Sequence, residues 1–273
     1  MISKEDKLEV VQKNIVNPLN NFTNYITIGV PEHSNMTATL SNIGDLHNEM
    51  LDYQWNYIKD NPSIPSNITA ATYFESIYEE FLLMKGIDIE IALNPMVKNI
   101  GYGSIIDLNT IKSSVQGFSE QYWNIVDSIF NSLDLFDQDS TGILFNTNLN
   151  VIESQITNVS NLNEQIILSI TLEIARKSSN YWASNLSGYA SDLEIFIDSN
   201  SDKFTNSSGV SGVVVKRNRI NIKELVEWDL SGAYAAGKWG LVAAGGPAGA
   251  IACGLTGGAG ASCANIIWQS IWK

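Results

Sequence analysis

The C-terminal segment of the chain decides the fold. Residues 229–273 read DLSGAYAAGKWGLVAAGGPAGAIACGLTGGAGASCANIIWQSIWK. Between Lys238 and Lys273 there is no Asp, Glu, Lys, Arg or His, and small residues dominate. Many of them recur every four residues, which places them on one face of an α-helix. They are Gly232, Ala236, Gly240 and Ala244, then Gly245 and Gly249, and then Gly254, Gly258 and Ser262.

A helix face made of small residues has no side chains that hold a partner helix away. Two backbones can therefore approach closely, and this kind of packing also operates in lipid. We expect the recurring glycines to form helix-packing contacts: Gly240, Gly245, Gly249, Gly254 and Gly258.

Pro247 divides the segment into two helices, because proline fits the first turn of a helix and breaks its interior. The pattern predicts one helix from about Asp229 to Ala244, a turn at residues 245–246, and a second helix from about Pro247 to Ile271. Each interior glycine costs roughly 0.8–1 kcal/mol of helix propensity relative to alanine. This predicted hairpin therefore needs a partner, a bilayer or the rest of the protein.

Tryptophans lie near the edges of the segment, at Trp228, Trp239, Trp268 and Trp272. Such a distribution suits a membrane interface. From residue 241 to residue 267 the chain is apolar or small, and about 20 such residues can cross a hydrocarbon core as one helix. The alternative is a hairpin buried against a soluble domain, and the sequence leaves both interpretations open.

The rest of the chain has the apolar periodicity of helices. The expected fold class is all-α, with a multi-helix body and a C-terminal Gly/Ala-rich helical hairpin. We expect an acidic helical body over residues 1–206, a linker with a basic cluster over 207–220, and the hairpin over 221–273. Within the body the pattern predicts helices over residues 35–59, 68–85, 109–133, 148–158 and 162–186, with a break at Gly188 before a helix over 189–199.

The charge and the cysteines limit the functional classes. A net charge of −13 argues against nucleic acid as a partner, because phosphate binding needs a basic surface. Cys253 and Cys263 are the two cysteines, and they can close a disulfide in an oxidising compartment. If Pro247 to Ile271 is one straight helix, ten residues separate them by about 15 Å, which is too far for a bridge. The two interpretations exclude each other.

No nucleophile, phosphate-binding or dinucleotide-binding motif occurs in the sequence, so we expect no enzyme, no catalytic residue and no cofactor. We also expect no metal site, because His33 and His47 are far apart and the cysteines lack CxxC spacing. His47 lies between Asp45 and Glu49, which could bind a cation or raise the pKa of the imidazole. A role in packing and hydrogen bonding is more typical of such a histidine.

Two resemblances follow from these residues. The segment GAYAAGKWGLVAAGGPAGAIACGLTGGAGASC resembles the glycine-zipper segments of unmodified, class II type bacteriocins, which insert into target membranes. This resemblance covers about 45 residues and implies membrane activity. The pattern G-x-L-H-N-x-x-L, which runs from Gly44 to Leu51, resembles uncharacterised bacterial helical proteins with glycine-rich ends. It implies no activity.

Together these patterns predict a membrane-active antibacterial or toxin-like factor that acts through its C-terminal segment, secreted or at the cell surface. No signal segment is visible in the sequence, so export would use a removed signal or another route. The expected partners are a target membrane and other copies of the glycine-rich segment. Lys216, Arg217 and Arg219 form a basic cluster where a protease could release that segment. The alternative is a non-enzymatic structural or interaction protein with the hairpin buried in its core.

Overall fold

The computed structural model describes residues 42–93, 118–204, 221–243 and 247–272, without the side chains of 71, 242, 243, 247, 248 and 264–272. These residues form α-helices and one 3-10 helix and contain no strand, so the prediction of an all-α fold is confirmed. The α-helices are α1 (Ile43–Asp60), α2 (Ala70–Met84), α3 (Ile89–Ala92), α4 (Glu120–Asn131), α5 (Ile143–Ile156), α6 (Leu162–Ser199), α7 (Ser201–Phe204), α8 (Ile222–Ala243) and α9 (Pro247–Trp272). The 3-10 helix, Ser132–Asp137, follows α4 directly.

Local capping sets where several helices begin. At α2 and α4 the hydroxyls of Thr69 and Ser119 accept hydrogen bonds from backbone N–H groups of the first turn, as N-cap residues do. Helix α5 begins at Ile143, five residues before the start predicted from the sequence. Gly142 precedes it with a φ of 77°, and the Asp139 carboxylate accepts the Leu144 backbone N–H at 3.0 Å.

The break predicted at Gly188 was wrong, because α6 continues through that position for 38 residues. A helix of that length spans about 57 Å. An added Cβ at Gly188 would lie 3.0 Å from a ring carbon of Trp55 on α1. The glycine therefore makes room for a neighbouring ring and does not end the helix.

Helix α6 is the central element of the fold. It packs against α1, α5, α8 and α9, and its buried residues belong to one hydrophobic core that also includes α1, α2, α4, α8 and α9. Helices α8 and α9, which we call the C-terminal helix pair, pack extensively against each other and against α6. Every residue from Gly249 to Cys263 is buried. None of the described helices is both long enough and apolar enough to span a membrane.

Helix α8 begins seven residues earlier than the sequence predicted. Asn221 precedes its first residue and accepts the backbone N–H of Lys223 at 3.0 Å. The Lys223 ammonium in turn pairs with Asp134 at 2.9 Å and with Asp137 at 2.8 Å. The side-chain acceptor and these ion pairs extend the helix toward its N-terminus, ahead of the Gly/Ala-rich sequence.

The C-terminal helix pair is antiparallel, because residues early in α8 meet residues late in α9. An added Cβ at Gly232 would overlap the carbonyl of Gly257 and lie 2.7 Å from the Cβ of Ala261. Near the other end, an added Cβ at Gly240 would overlap the carbonyl of Gly249. At these places one helix lies directly on the backbone of the other, and only glycine fits.

Two glycines of α8 provide a matched test of this packing. Gly240→Ala should lower the free energy of unfolding by about 1–3 kcal/mol, because the added methyl group forces the Gly249 backbone to move. An added Cβ at Gly237 meets its nearest atom, the Ala250 carbonyl oxygen, at 3.4 Å. Gly237→Ala should therefore be neutral or stabilising by up to about 1 kcal/mol, through helix propensity. Urea denaturation measures both, and equal effects would contradict the close approach.

Candidate functional site

Four of the five glycines predicted to pack lie in the contacts of the C-terminal helix pair. Gly240 and Gly249 oppose each other. Gly254 faces α6, since an added Cβ there would lie 2.8 Å from Cγ2 of Ile170. Gly258 faces α8 and α1, since its Cβ would lie 3.1 Å from the Asp229 carbonyl oxygen and 3.2 Å from Cδ2 of His47. The small-residue face thus contacts helices of the body as well as its own partner.

Several predicted site residues lie outside the described part of the structure. These are Gly245 in the connection between the two helices, and Lys216, Arg217 and Arg219 in the basic cluster. Trp268 and Trp272 belong to α9, but their side chains are outside the description. Trp239 is half-buried and packs beside Ala236 and Cys253.

Both cysteines are free and buried, and both lie on α9. Because α9 is continuous from Pro247 to Trp272, the ten residues between Cys253 and Cys263 correspond to about 15 Å. A disulfide between them, which the sequence left open, does not fit this helix. The alternative holds, in which both thiols are free. Burial raises the pKa of Cys253 to about 12 and also raises the pKa of Cys263. Both thiols are therefore protonated at neutral pH.

A buried ion pair joins α1 to the C-terminal helix pair. Nε2 of His47 lies 3.2 Å from Oδ1 of Asp229, and both side chains are fully buried. The sequence had suggested Asp45 and Glu49 as neighbours of this histidine, but Asp45 pairs with Lys177 at 2.7 Å and Glu49 pairs with Lys85 at 2.5 Å. His47 is a buried packing residue that hydrogen-bonds to Asn48 on its own helix and pairs with Asp229 on α8.

Asp229 also connects α8 to the central helix. Its second carboxylate oxygen accepts the Ser178 hydroxyl at 2.5 Å and the indole N–H of Trp182 at 2.8 Å. One carboxylate therefore ties together α1, α6 and α8. We refer to His47, Asp229, Ser178 and Trp182 as the Asp229 network.

Sequence reasoning did not single out Asp229, although a signal was present. The residues three and four positions to either side of it are apolar or small and are buried: Leu225, Val226, Gly232 and Ala233. Helical periodicity therefore places a carboxylate in the middle of an apolar face. A buried carboxylate requires partners, but the sequence does not show which side chains supply them.

The Asp229 network is not arranged as a Ser-His-Asp triad. In a triad the serine hydroxyl bonds to the histidine and the histidine bonds to the carboxylate. Here Ser178 bonds directly to Asp229, and His47 approaches the other oxygen of the same carboxylate. All three side chains are fully buried. This geometry attaches α1 and α6 to α8.

A second polar cluster lies farther along α1. The Gln54 amide donates to the thiol sulfur of Cys263 and accepts the Tyr78 hydroxyl at 2.8 Å. The Tyr78 hydroxyl also lies 3.4 Å from the carbonyl oxygen of Ala259. These contacts connect α1 and α2 to α9. The helix pair is thus attached to the body through both of its helices.

The one lysine in the Gly/Ala-rich part of α8 is almost buried. Lys238 is 4% exposed, and its Nζ lies 5.2 Å from the ring centroid of Phe118, 5.3 Å from that of Trp123 and 5.8 Å from that of Tyr234. Aromatic faces attract a cation at such distances. Burial lowers the pKa of Lys238 to about 8. The side chain is therefore partly neutral in weakly alkaline solution.

Comparison of the chain with protein-family models, with curated proteins and with solved structures found no match. Among the described residues, no three or more His, Cys, Asp and Glu side chains are grouped so that they could hold a metal ion. The functional interpretation therefore depends on the geometry of the C-terminal helix pair and its attachments.

Truncation of Asp229 should be far more costly than truncation of an exposed carboxylate. Asp229→Ala leaves a buried histidine without its opposite charge and a buried indole N–H without its acceptor, and we expect a loss of about 3–5 kcal/mol in unfolding free energy. The matched control is Asp45→Ala, because Asp45 is 55% exposed in its ion pair with Lys177. That change should cost about 0–1 kcal/mol. Denaturant titration compares the two, and similar losses would contradict the network.

Proposed function

We propose that the protein is a membrane-active, toxin-like factor that holds its C-terminal helix pair inside a helical body and releases it at a target membrane. The observation that carries the proposal is the composition of the buried interface. The two helices meet through glycine backbone, at Gly232 against Gly257 and at Gly240 against Gly249.

Contacts of this kind do not depend on water. Hydrophobic burial loses its driving force when the surrounding medium is itself apolar, whereas close backbone packing between small residues persists in lipid. The contacts between α8 and α9 could therefore survive transfer from the protein core to a bilayer. The helix pair could move as one unit, with its internal contacts intact.

The attachment of the pair to the body has a different character. It includes the side-chain hydrogen bonds and the ion pair of Asp229, and the contacts of Cys263 with Gln54. A charged side chain at the centre of a membrane-spanning helix costs about 2.5–3.5 kcal/mol on insertion scales. Asp229 and Lys238 therefore favour one of two membrane-bound arrangements. Either the start and middle of α8 stay near the lipid–water interface, or Asp229 of one molecule pairs with Lys238 of another.

The acidic composition fits an exported carrier for such a pair. A net charge of −13 keeps the chain soluble while the glycine-rich helices are covered. The proposed location is therefore outside the producing cell or at its surface, and the proposed partners are a lipid bilayer and further copies of the helix pair. The resemblance of the segment to bacteriocin glycine zippers supports the same function.

A second candidate function is that of a non-enzymatic structural or interaction protein. The observation that favours it is the continuity of the core, because buried residues of α8 and α9 belong to the same hydrophobic cluster as those of α1 and α6. On this interpretation the glycine contacts make a compact centre and the pair never leaves it. The two functions differ in whether the pair must separate from the body.

A reversible crosslink between α6 and α9 tests that difference. An added Cβ at Gly254 would lie 2.8 Å from Cγ2 of Ile170. Because Cγ2 is one bond from the Ile170 Cβ, cysteines at both positions would have Cβ atoms at most about 4.3 Å apart, within the disulfide range of about 3.5–4.5 Å. The variant is Ile170→Cys with Gly254→Cys, with Cys253→Ala and Cys263→Ser to prevent other pairings.

The expected result is that the reduced variant releases dye from vesicles and the oxidised variant does not. Vesicles of phosphatidylethanolamine with phosphatidylglycerol and vesicles of phosphatidylcholine should both be used, since an acidic chain is repelled by anionic lipid. The same protein in its two redox states is the matched control. Equal release from both states would contradict separation of the pair. Absence of release by the unmodified protein from both vesicle types would favour the structural function.

A further inference from the structure

His47 lies between two hydrogen-bond acceptors. Its Nε2 is 3.2 Å from Oδ1 of Asp229, and its Nδ1 is 3.1 Å from Oδ1 of Asn48. The Asn48 amide is oriented by a separate contact, because its nitrogen donates to the carbonyl oxygen of Lys177 at 3.1 Å. The oxygen of Asn48 is therefore the atom that faces the imidazole.

Two acceptors require two donors. A neutral imidazole carries one N–H, whereas the imidazolium carries an N–H on each nitrogen. Only the protonated form of His47 presents an N–H to both oxygens at the same time, and only this form carries the positive charge that pairs with Asp229. Burial opposes the charge, but the negative charge of the Asp229 carboxylate and the contact with Asn48 favour it, and the pKa of His47 is raised above 6.5.

We propose that the His47–Asp229 pair is a pH-sensitive latch that keeps the C-terminal helix pair docked while His47 is protonated and weakens docking when the proton is lost. Asp229 belongs to α8, and the His47 ring lies against α9 at Gly258. Loss of the proton leaves one ring nitrogen facing an acceptor oxygen in a fully buried site. The contact that joins α1 to both helices of the pair is then weakened.

The sign of the pH dependence follows from the direction of the shift. A histidine whose pKa is higher in the folded state stabilises that state fully below the pKa of the unfolded chain, about 6.5. The contribution is lost as the pH rises through the higher folded value. Docking should therefore be tight in mild acid and looser in weakly alkaline solution.

The tyrosines and the thiol buried around the pair stay uncharged in that interval. Tyr181 and Tyr189 of α6 and Cys263 of α9 feel the Asp229 charge, and burial raises the pKa of each above its ordinary value. The acidic groups of α1 have partners of their own. Asp52 accepts the Tyr181 hydroxyl, Asp45 pairs with Lys177 of α6, and Glu49 pairs with Lys85, which directly follows α2.

Lys238 of α8 has a pKa of about 8. Its effect on stability has the opposite sign, because the folded state becomes more stable as Lys238 loses its proton. Measurements between pH 6 and 7.5 therefore separate His47 from it.

The chain is suited to a direct measurement, since it contains two histidines, His33 and His47. An NMR titration of the imidazole C–H signals, assigned with His33→Gln, should give His47 a pKa above 6.5. Asp229→Asn should move that pKa below 6.5, because burial remains while the opposing charge is gone. The matched control is Asp45→Asn, which also removes one carboxylate charge, but from the exposed side of α1. This change should leave the pKa of His47 unchanged. A His47 pKa at or below 6.5 in the unmodified protein would overturn the proposal.

Docking itself can be followed through Cys263, whose thiol is buried on α9. In a Cys253→Ser background, protection is the rate of Cys263 modification by a thiol reagent in the unfolded chain divided by the rate in the folded chain. Taking this ratio at each pH removes the effect of thiol ionisation. Protection should fall between pH 6 and 7.5, by less than tenfold per pH unit, because a single proton is lost. His47→Gln should remove this dependence. Equal dependence in His47→Gln, or constant protection in the unmodified chain, would overturn the latch.

The latch deepens the proposed function, since undocking would regulate release of the helix pair. The two can nevertheless fail separately. Thiol protection is measured without lipid, so pH-dependent protection with no dye release would contradict membrane activity and leave the latch intact. Dye release with constant protection would contradict the latch alone.

Discussion

The close approach of the α8 and α9 backbones is the contact on which the rest of the structure depends. Gly232 and Gly240 leave no room for a Cβ against the facing carbonyl groups of Gly257 and Gly249. Two helices so close together form a narrow pair, and α6 can pack against both of them. Ile170 on α6 extends its methyl group toward Gly254, where any side chain would displace it. The arrangement of the central helices thus follows from positions that have no side chain.

Small residues provide close packing but few directional contacts. The directional contacts come from buried polar side chains. Asp229 joins α8 to His47 on α1 and to Ser178 and Trp182 on α6. Gln54 joins α1 to Cys263 on α9. Because a buried polar group without a partner is costly, these contacts favour one docking position over others that would preserve the apolar packing. Packing and polar attachment therefore have separate roles, and this separation makes pH-dependent docking physically reasonable.

The helical character of the chain and the existence of two C-terminal helices follow from local patterns. Apolar periodicity and Pro247 act over a few neighbouring positions, and they indicated α2 and α9 close to their observed bounds and the start of α6 at Leu162. The errors have specific structural explanations. Gly188 lies inside α6 because Trp55, far away in sequence, fills the space beside it. The starts of α5 and α8 depend on side-chain acceptors, Asp139 and Asn221, that composition alone does not reveal.

The sequence by itself determined an all-α chain with a small-residue face on its last two helices, because helix periodicity and the absence of large side chains are properties of neighbouring residues. Only the tertiary structure decided which surfaces meet that face and which partner each buried charge takes. His47 has acidic neighbours on its own helix, yet its partner is Asp229, which is 182 positions later in the chain. Such pairings depend on how helices distant in sequence pack together, and no local pattern encodes them.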